Sequence, residues 1–244
     1  MKSMSLTITD NSRIADNTYR MVLKHPDLEE MKPGQFVNIR TGGLYLRRPI
    51  SVCDSDRGGL TIVYKVVGKG TELLSRMDEG EELDVLTGLG NGYDLSKAGN
   101  RPLLLGGGAG VAPLIMLARL LREAGKNVTA VLGFNTKTEI YGRSDLKALG
   151  CTVTVTTADG SDGVKGFVTD ALPEKYSYFY TCGPEPMLRA VYRATKTSGQ
   201  FSFEERMGCG FGACMGCSCK TVTGYKRICR EGPVLEKEEI LWDD

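Results

Sequence analysis

The chain has 244 residues, 41% of them hydrophobic, with 31 Lys and Arg against 30 Asp and Glu. A net charge of +1 leaves no basic footprint for a dedicated nucleic-acid binder. A single histidine, His25, excludes a multi-histidine metal site within the chain and is the one histidine a Ser-His-Asp hydrolase could recruit. Of eight cysteines, Cys53, Cys151 and Cys182 are scattered, while five fall between Cys209 and Cys229. The N-terminus, Met1 to Asp10, lacks the apolar core of a signal peptide. A local cysteine cluster in such a chain predicts a metal site in a reducing cytoplasm rather than a disulfide framework.

From Met1 to about Lys97, short alternating runs predict strands over Leu6–Thr9, Tyr19–Leu23, Phe36–Arg40, Leu60–Val66 and Leu83–Leu86. Turn signals such as Lys32-Pro33-Gly34 separate them, so a barrel or sandwich is expected. His25, before Pro26, reads as a surface loop residue. Arg47-Arg48-Pro49-Ile50-Ser51 ends a polar turn and begins a further strand. An arginine and a hydroxyl three residues apart suit a flavin, because a guanidinium pairs with phosphate and Ser51 reaches a ring edge. Alone, the segment is better described as a surface arginine before a proline turn. Gly68-Lys69-Gly70-Thr71 leads into a helix expected over Thr71–Met77, an arrangement that favours anions.

From about Gly99 to Gly199 the rhythm changes to strand-helix alternation. Strands are expected over Pro102–Leu105, Val128–Phe134, Thr152–Thr156 and Tyr178–Thr181, and helices over Val111–Glu123, Ser144–Ala148 and Pro184–Thr197. This predicts a doubly wound parallel sheet. The uncharged run Leu103 to Ala118 is shorter than the ~20 residues a spanning helix needs, and glycines and Pro113 break it. It reads as strand, glycine turn and helix start. That turn, Gly106-Gly107-Gly108-Ala109-Gly110, lets backbone approach a pyrophosphate. Cys182-Gly183-Pro184 follows the last strand; by itself Cys182 reads as a buried inert thiol, and Met187 and Leu188 read as helix packing. Asn135-Thr136-Lys137 lacks an arginine clamp and leaves NAD against NADP open.

The last zone, Phe201 to Asp244, carries Cys209, Cys214 and Cys217 in C-x4-C-x2-C spacing, with Cys229 beyond. This is the plant-type 2Fe-2S pattern; zinc sites favour paired CxxC knuckles instead. Cys219 is the spare, although a CxC pair also ligates metals. Trp242 either anchors the acidic tail on its own domain or meets a partner.

Arg48-Pro49-Ile50-Ser51, Gly68-Lys69-Gly70-Thr71 and Gly88-Leu89-Gly90-Asn91-Gly92 together resemble the ferredoxin-NADP reductase superfamily. With the cysteine segment added, nearly the whole chain resembles the PyrK family, the electron-transfer subunits of NAD-dependent (type B) dihydroorotate dehydrogenase. The resemblance implies an FAD-binding β-barrel domain over residues 1–98. An α/β doubly wound NAD-binding domain would follow over 99–200, then a small C-terminal 2Fe-2S domain over 201–244. It implies flavin contacts at Arg48, Pro49, Ile50, Ser51, Val63, Tyr64, Lys65, Gly70 and Thr71. It implies NAD(H) contacts at Gly106, Gly107, Gly110, Cys182, Gly183 and Pro184, and cluster ligation by Cys209, Cys214, Cys217 and Cys229. Electrons would pass between NADH, FAD, the 2Fe-2S cluster and the FMN of a dihydroorotate dehydrogenase catalytic subunit in pyrimidine biosynthesis, with two copies of each chain. No catalytic side chain and no dihydroorotate site of its own are expected. The same modules serve reductase subunits of hydrogenase, sulfide or sulfite, and glutamate-synthase-like complexes. Oxygenase reductases carry a longer ferredoxin domain, and a zinc-binding adaptor is the non-redox alternative.

Overall fold

In the computed structural model, which describes residues 1–242, the first strand β1 (Lys2–Ala15) runs well beyond the expected Leu6–Thr9. Its polar positions pair as readily as its apolar ones. Lys2 to Thr7 pair with β6 (Glu82–Leu89), and Thr7 to Ala15 pair with β2 (Thr18–Lys24). With β3 (Phe36–Ile39), β4 (Arg48–Asp56) and β5 (Gly59–Lys65), these strands close a barrel in the order β1-β2-β5-β4-β3-β6. Leu6, Ile8, Met21, Val37, Ile39, Val52 and Ile62 fill its interior. The helix α1 (Lys69–Leu74) starts and ends earlier than expected. Asn11 caps its C-terminal end, its Nδ2 donating to the carbonyls of Leu74 (2.9 Å) and Met77 (2.8 Å).

The second unit is built in chain order from β7 (Leu103–Gly107), α2 (Ala112–Glu123), β8 (Thr129–Phe134), α3 (Arg143–Ala148), β9 (Thr152–Thr157), β10 (Val164–Lys165), β11 (Phe179–Cys182), α4 (Glu185–Ala194) and β12 (Gly199–Ser202). These strands are parallel, as the alternation predicts. Leu103, Leu104 and Leu105 are wholly buried, because helices cover both faces of such a sheet. The apolar run resolves into β7, a 3-10 turn and α2, and no helix among the described residues is long and apolar enough to cross a membrane.

The cysteine segment leaves this sheet at Ser202 and forms the hairpin β13 (Ser218–Thr221) and β14 (Gly224–Arg227). It then returns as β15 (Val234–Glu236), antiparallel to β12. The full order is β10-β9-β8-β7-β11-β12-β15. Trp242 packs edge-on against Tyr192 (5.2 Å) and Phe201 (5.6 Å), with the Arg189 guanidinium over its ring. Trp242 thus anchors the C-terminal end on α4 and β12 of the same chain.

Glu236 ties these parts together. It accepts from the Tyr178 hydroxyl (2.7 Å) and Gln200 Nε2 (2.7 Å), and pairs with Lys97 (2.6 Å) from the barrel's trailing segment. Burial alone would raise its carboxyl, but Lys97, Gln200 and Tyr178 outweigh burial and hold it below the ordinary value. A carboxyl depressed in the fold stabilises it at neutral pH, and that contribution disappears as pH falls through the folded value. Glu236→Ala strands the buried Tyr178 hydroxyl. An equilibrium urea titration is expected to show a loss of about 1–3 kcal/mol at pH 7, shrinking under acid.

Candidate functional site

Between the barrel and the second sheet lies a cavity of about 810 Å³, at the upper end of the size expected for a small-molecule or cofactor site. Arg48, Pro49, Ile50 and Ser51 of β4, Val63, Tyr64 and Lys65 of β5, and Thr71 form one wall. Gly107, Pro184 and Met187 belong to the opposite wall.

The tandem arginines divide their work. Arg47 is held by the Asp84 carboxylate (2.8 Å) and carbonyl (3.0 Å), a structural tie. Arg48 lies instead on the glycine turn, where a Cβ on Gly70 would stand 2.0 Å from its Nε. Two motifs about 20 residues apart in sequence therefore meet at one guanidinium. The Thr71 hydroxyl fixes the turn, accepting from Val67 N–H (3.0 Å) and donating to the Gly68 carbonyl (3.1 Å). Gly70 itself does not line the cavity; it lets Arg48 lie flat.

The two turns of the nucleotide domain also meet. A Cβ on Gly110 would lie 2.3 Å from the Cys182 carbonyl oxygen, and one on Gly107 would lie 2.3 Å from Met187 Sδ. Gly107, Gly108 and Ala109 face the cavity, whereas Gly106, Gly110, Cys182 and Gly183 sit behind its wall and shape it. Cys182 is 1% exposed and burial pushes its thiol far up, so it is no nucleophile at neutral pH. Met187 corrects the packing expectation: it lines the cavity, while Leu188 is core. Tyr64 lines it too, with its hydroxyl committed to Asn11 (2.9 Å) and its ring stacked on Tyr19.

Sequence reasoning missed Glu139, Phe167, Phe203, Glu204 and Met207, all cavity-lining. None belongs to a local motif; topology delivers them. Glu139 bridges the two halves, accepting from Lys65 (2.8 Å) on β5 and from the Asn135 amide (3.1 Å). Burial would raise its carboxyl, but Lys65 and Asn135 outweigh burial and keep it depressed. Glu204 is exposed where it lines the cavity, and desolvation by the cavity walls raises its carboxyl.

Two residues past Met207 the cysteine loop begins. Its thiols fall into two interacting pairs, Cys209 with Cys214 and Cys217 with Cys229, and Cys209 also acts on Cys229. Sγ of Cys209 accepts from Ala213 N–H (3.2 Å) and Cys214 N–H (3.5 Å), and Sγ of Cys217 accepts from Cys229 N–H (3.4 Å). Burial raises the Cys209 thiol, but these donors and the Cys214 thiol outweigh burial and bring it to about 6. Burial and Cys217 push Cys229 up to about 12. Among the described residues, no three His, Cys, Asp or Glu side chains gather closely enough for a single ion. Two thiol pairs with N–H donors to sulfur match the needs of two irons. Cys219 lies on β13 opposite Lys226, packed against the core that holds Cys217 and Cys229 but in neither pair.

The model for the iron-sulfur cluster binding domain of dihydroorotate dehydrogenase B matches residues 204–241, and that for the oxidoreductase NAD-binding domain matches 104–193. The electron transfer subunit of dihydroorotate dehydrogenase B (NAD(+)) from Fusobacterium nucleatum is 42% identical, over 98% of this chain and 99% of the relative. The chain belongs to this family of electron transfer subunits. The Geobacillus member (strain WCH70) is likewise 42% identical, over 99% of each chain. Among solved structures, a chain of an NADH-dependent reduced ferredoxin-NADP oxidoreductase, studied for flavin-based electron bifurcation, superposes with a TM-score of 0.88. It is 34% identical, over 97% of this chain and 90% of that one. Phthalate dioxygenase reductase, at 20% identity and a TM-score of 0.66, covers 79% of this chain and 64% of its own, and shares the fold. For a dihydroorotate dehydrogenase B electron transfer subunit, the barrel, the nucleotide sheet and the cysteine loop thus adjoin one cavity.

Proposed function

We propose that the chain conducts electrons between NADH and the flavin of a dihydroorotate dehydrogenase catalytic subunit through FAD and a 2Fe-2S cluster. The observation that carries this is contiguity: one cavity has a wall from each nucleotide-binding unit and ends, at Met207, beside the cysteine loop. When bound, the flavin supplies conversion of a hydride into single electrons, and the cluster supplies their one-electron carriage.

The chain's own groups bind and orient. Arg48, lying on Gly70, would offer paired donors to the pyrophosphate of the flavin dinucleotide. Pro49, Ile50, Ser51, Val63, Tyr64, Lys65 and Thr71 form the flavin wall, and Gly107 with Pro184 serves the nicotinamide dinucleotide from the opposite side. The mostly apolar lining excludes water from the meeting point of the two. Asn135-Thr136-Lys137 offers no arginine clamp for an additional phosphate, which supports NADH over NADPH. Cys209, Cys214, Cys217 and Cys229 hold the cluster. Cys214, Phe211 and Met215 are exposed, which turns the loop's outer side toward a partner. The eight cysteines, all free, fit a reducing cytoplasm.

Purification with the partner subunit tests the proposal. The complex is expected to contain FAD, iron and sulfide, and to reduce orotate with NADH. The ferredoxin-NADP oxidoreductase likeness motivates a second acceptor, ferredoxin. Flavin and cluster signals with ferredoxin reduction and no orotate turnover would reject the dihydroorotate assignment and keep the electron-transfer one. A colourless zinc protein would reject both.

A further inference from the structure

One polar side chain inside the barrel wall is unexplained by the cavity. Asn38, on β3, is 1% exposed between the apolar neighbours Val37 and Ile39. It pairs with Pro49 of β4, which lines the cavity. Its Nδ2 donates across 171 positions of sequence to the Cys209 carbonyl (3.3 Å), while its Oδ1 has no partner. Because Cys209 offers a carbonyl, the amide nitrogen must face it, and the orphaned oxygen follows from that choice. Leaving a buried acceptor unpaired costs free energy that an apolar residue would avoid. The single bond to the cysteine loop is therefore what sets Asn38 apart. The loop is shaped for it: Gly210, at φ +78°, places its backbone where a Cβ would stand 2.2 Å from Nδ2.

We propose that Asn38 is a positioning residue that locks the Cys209 end of the cluster loop to the flavin-binding strand. The connection is short and stiff. It runs from Pro49 across one strand pairing to Asn38, then through one hydrogen bond to Cys209, whose sulfur accepts the Ala213 and Cys214 N–H groups. Partners that orient ligands fix both retention and tuning of a metal group. Asn38 thus sets the cluster's hold on iron and its placement against the flavin. This inference rests on Cys209 being a cluster ligand.

The test uses the full chain in its complex. Asn38→Leu removes the bond without adding charge, and Asn38→Ser keeps a small polar group too short to reach. Both are expected to retain wild-type flavin content. Both should lose iron to a chelator about 10–100-fold faster, change the EPR spectrum of the reduced cluster, and slow cluster reduction after mixing with NADH. If Asn38→Leu does not keep its flavin, Asn38→Ser decides, since it cannot overpack the strand. Wild-type iron loss and an unchanged spectrum in a flavin-replete variant would overturn the proposal. Cys209→Ser separates the two claims: full iron in that variant removes the ligand assignment, whereas lost iron with unaffected Asn38 variants removes only the lock.

Discussion

Cys214→Ser is expected to abolish the iron-sulfur chromophore, while Cys219→Ser leaves it intact. Cys214 faces Cys209 in one thiol pair, and its backbone N–H also donates to Cys209 Sγ. Replacing the thiol by a hydroxyl removes one of the four soft ligands proposed for the cluster. Cys219 lies on β13 outside both pairs, half-buried against the apolar core that includes Cys217 and Cys229. Its replacement is expected to change stability slightly and iron content not at all. The measurement is iron, sulfide and flavin per chain, with the visible spectrum. NADH reduction of ferricyanide, which needs the flavin alone, should survive in Cys214→Ser. Orotate reduction by the complex should fall by at least two orders of magnitude, because no side chain substitutes for the lost one-electron carrier. Full iron in Cys214→Ser, or its loss in Cys219→Ser, would exchange the assignments of these two cysteines.

What was legible in the sequence is what local physics encodes. Glycine turns at strand ends, C-x4-C-x2-C spacing and the change from alternating to strand-helix rhythm all act over a few residues, and each reappears in its place. The failures have a different origin. The polar half of β1 pairs through backbone, which alternation of side chains does not report. The short return strand β15 exists because β12 offers an unpaired edge, a fact about topology. Glu139 and Asn38 gain their roles from partners 74 and 171 positions away. Arg47 and Arg48 are indistinguishable in sequence; Asp84, reached through β6, decides which is spent on structure. Met187 looked like helix packing because its helix is amphipathic, but Gly107 and Gly183 leave room for its sulfur at the cavity wall.

Gly110→Ala carries the second large effect. The sequence explains this glycine by the approach of backbone to a pyrophosphate; the structure relocates the constraint. Its methyl would stand 2.3 Å from the Cys182 oxygen, 2.4 Å from the Cys182 carbonyl carbon and 2.6 Å from Gly183 N, all main-chain atoms that no rotamer change can move. Overpacking of this kind costs typically 1–3 kcal/mol and more where backbone must shift. For a chain of this size that corresponds to a Tm lower by roughly 2–12 °C. The displaced turn also carries Gly107, so the KM for NADH should rise while flavin content holds, because the flavin wall lies on the barrel. Gly125→Ala, outside the cavity wall, is the control. Gly125 adopts φ +73° with nothing within 4 Å of its would-be Cβ, so its substitution meets only the left-handed backbone cost of about 1–2 kcal/mol. If the two variants raised KM equally, lowered stability rather than contact between the turns would be the cause. A rise confined to Gly110→Ala would show that the glycine turn and the Cys182-Gly183-Pro184 turn act as one rigid wall for the dinucleotide.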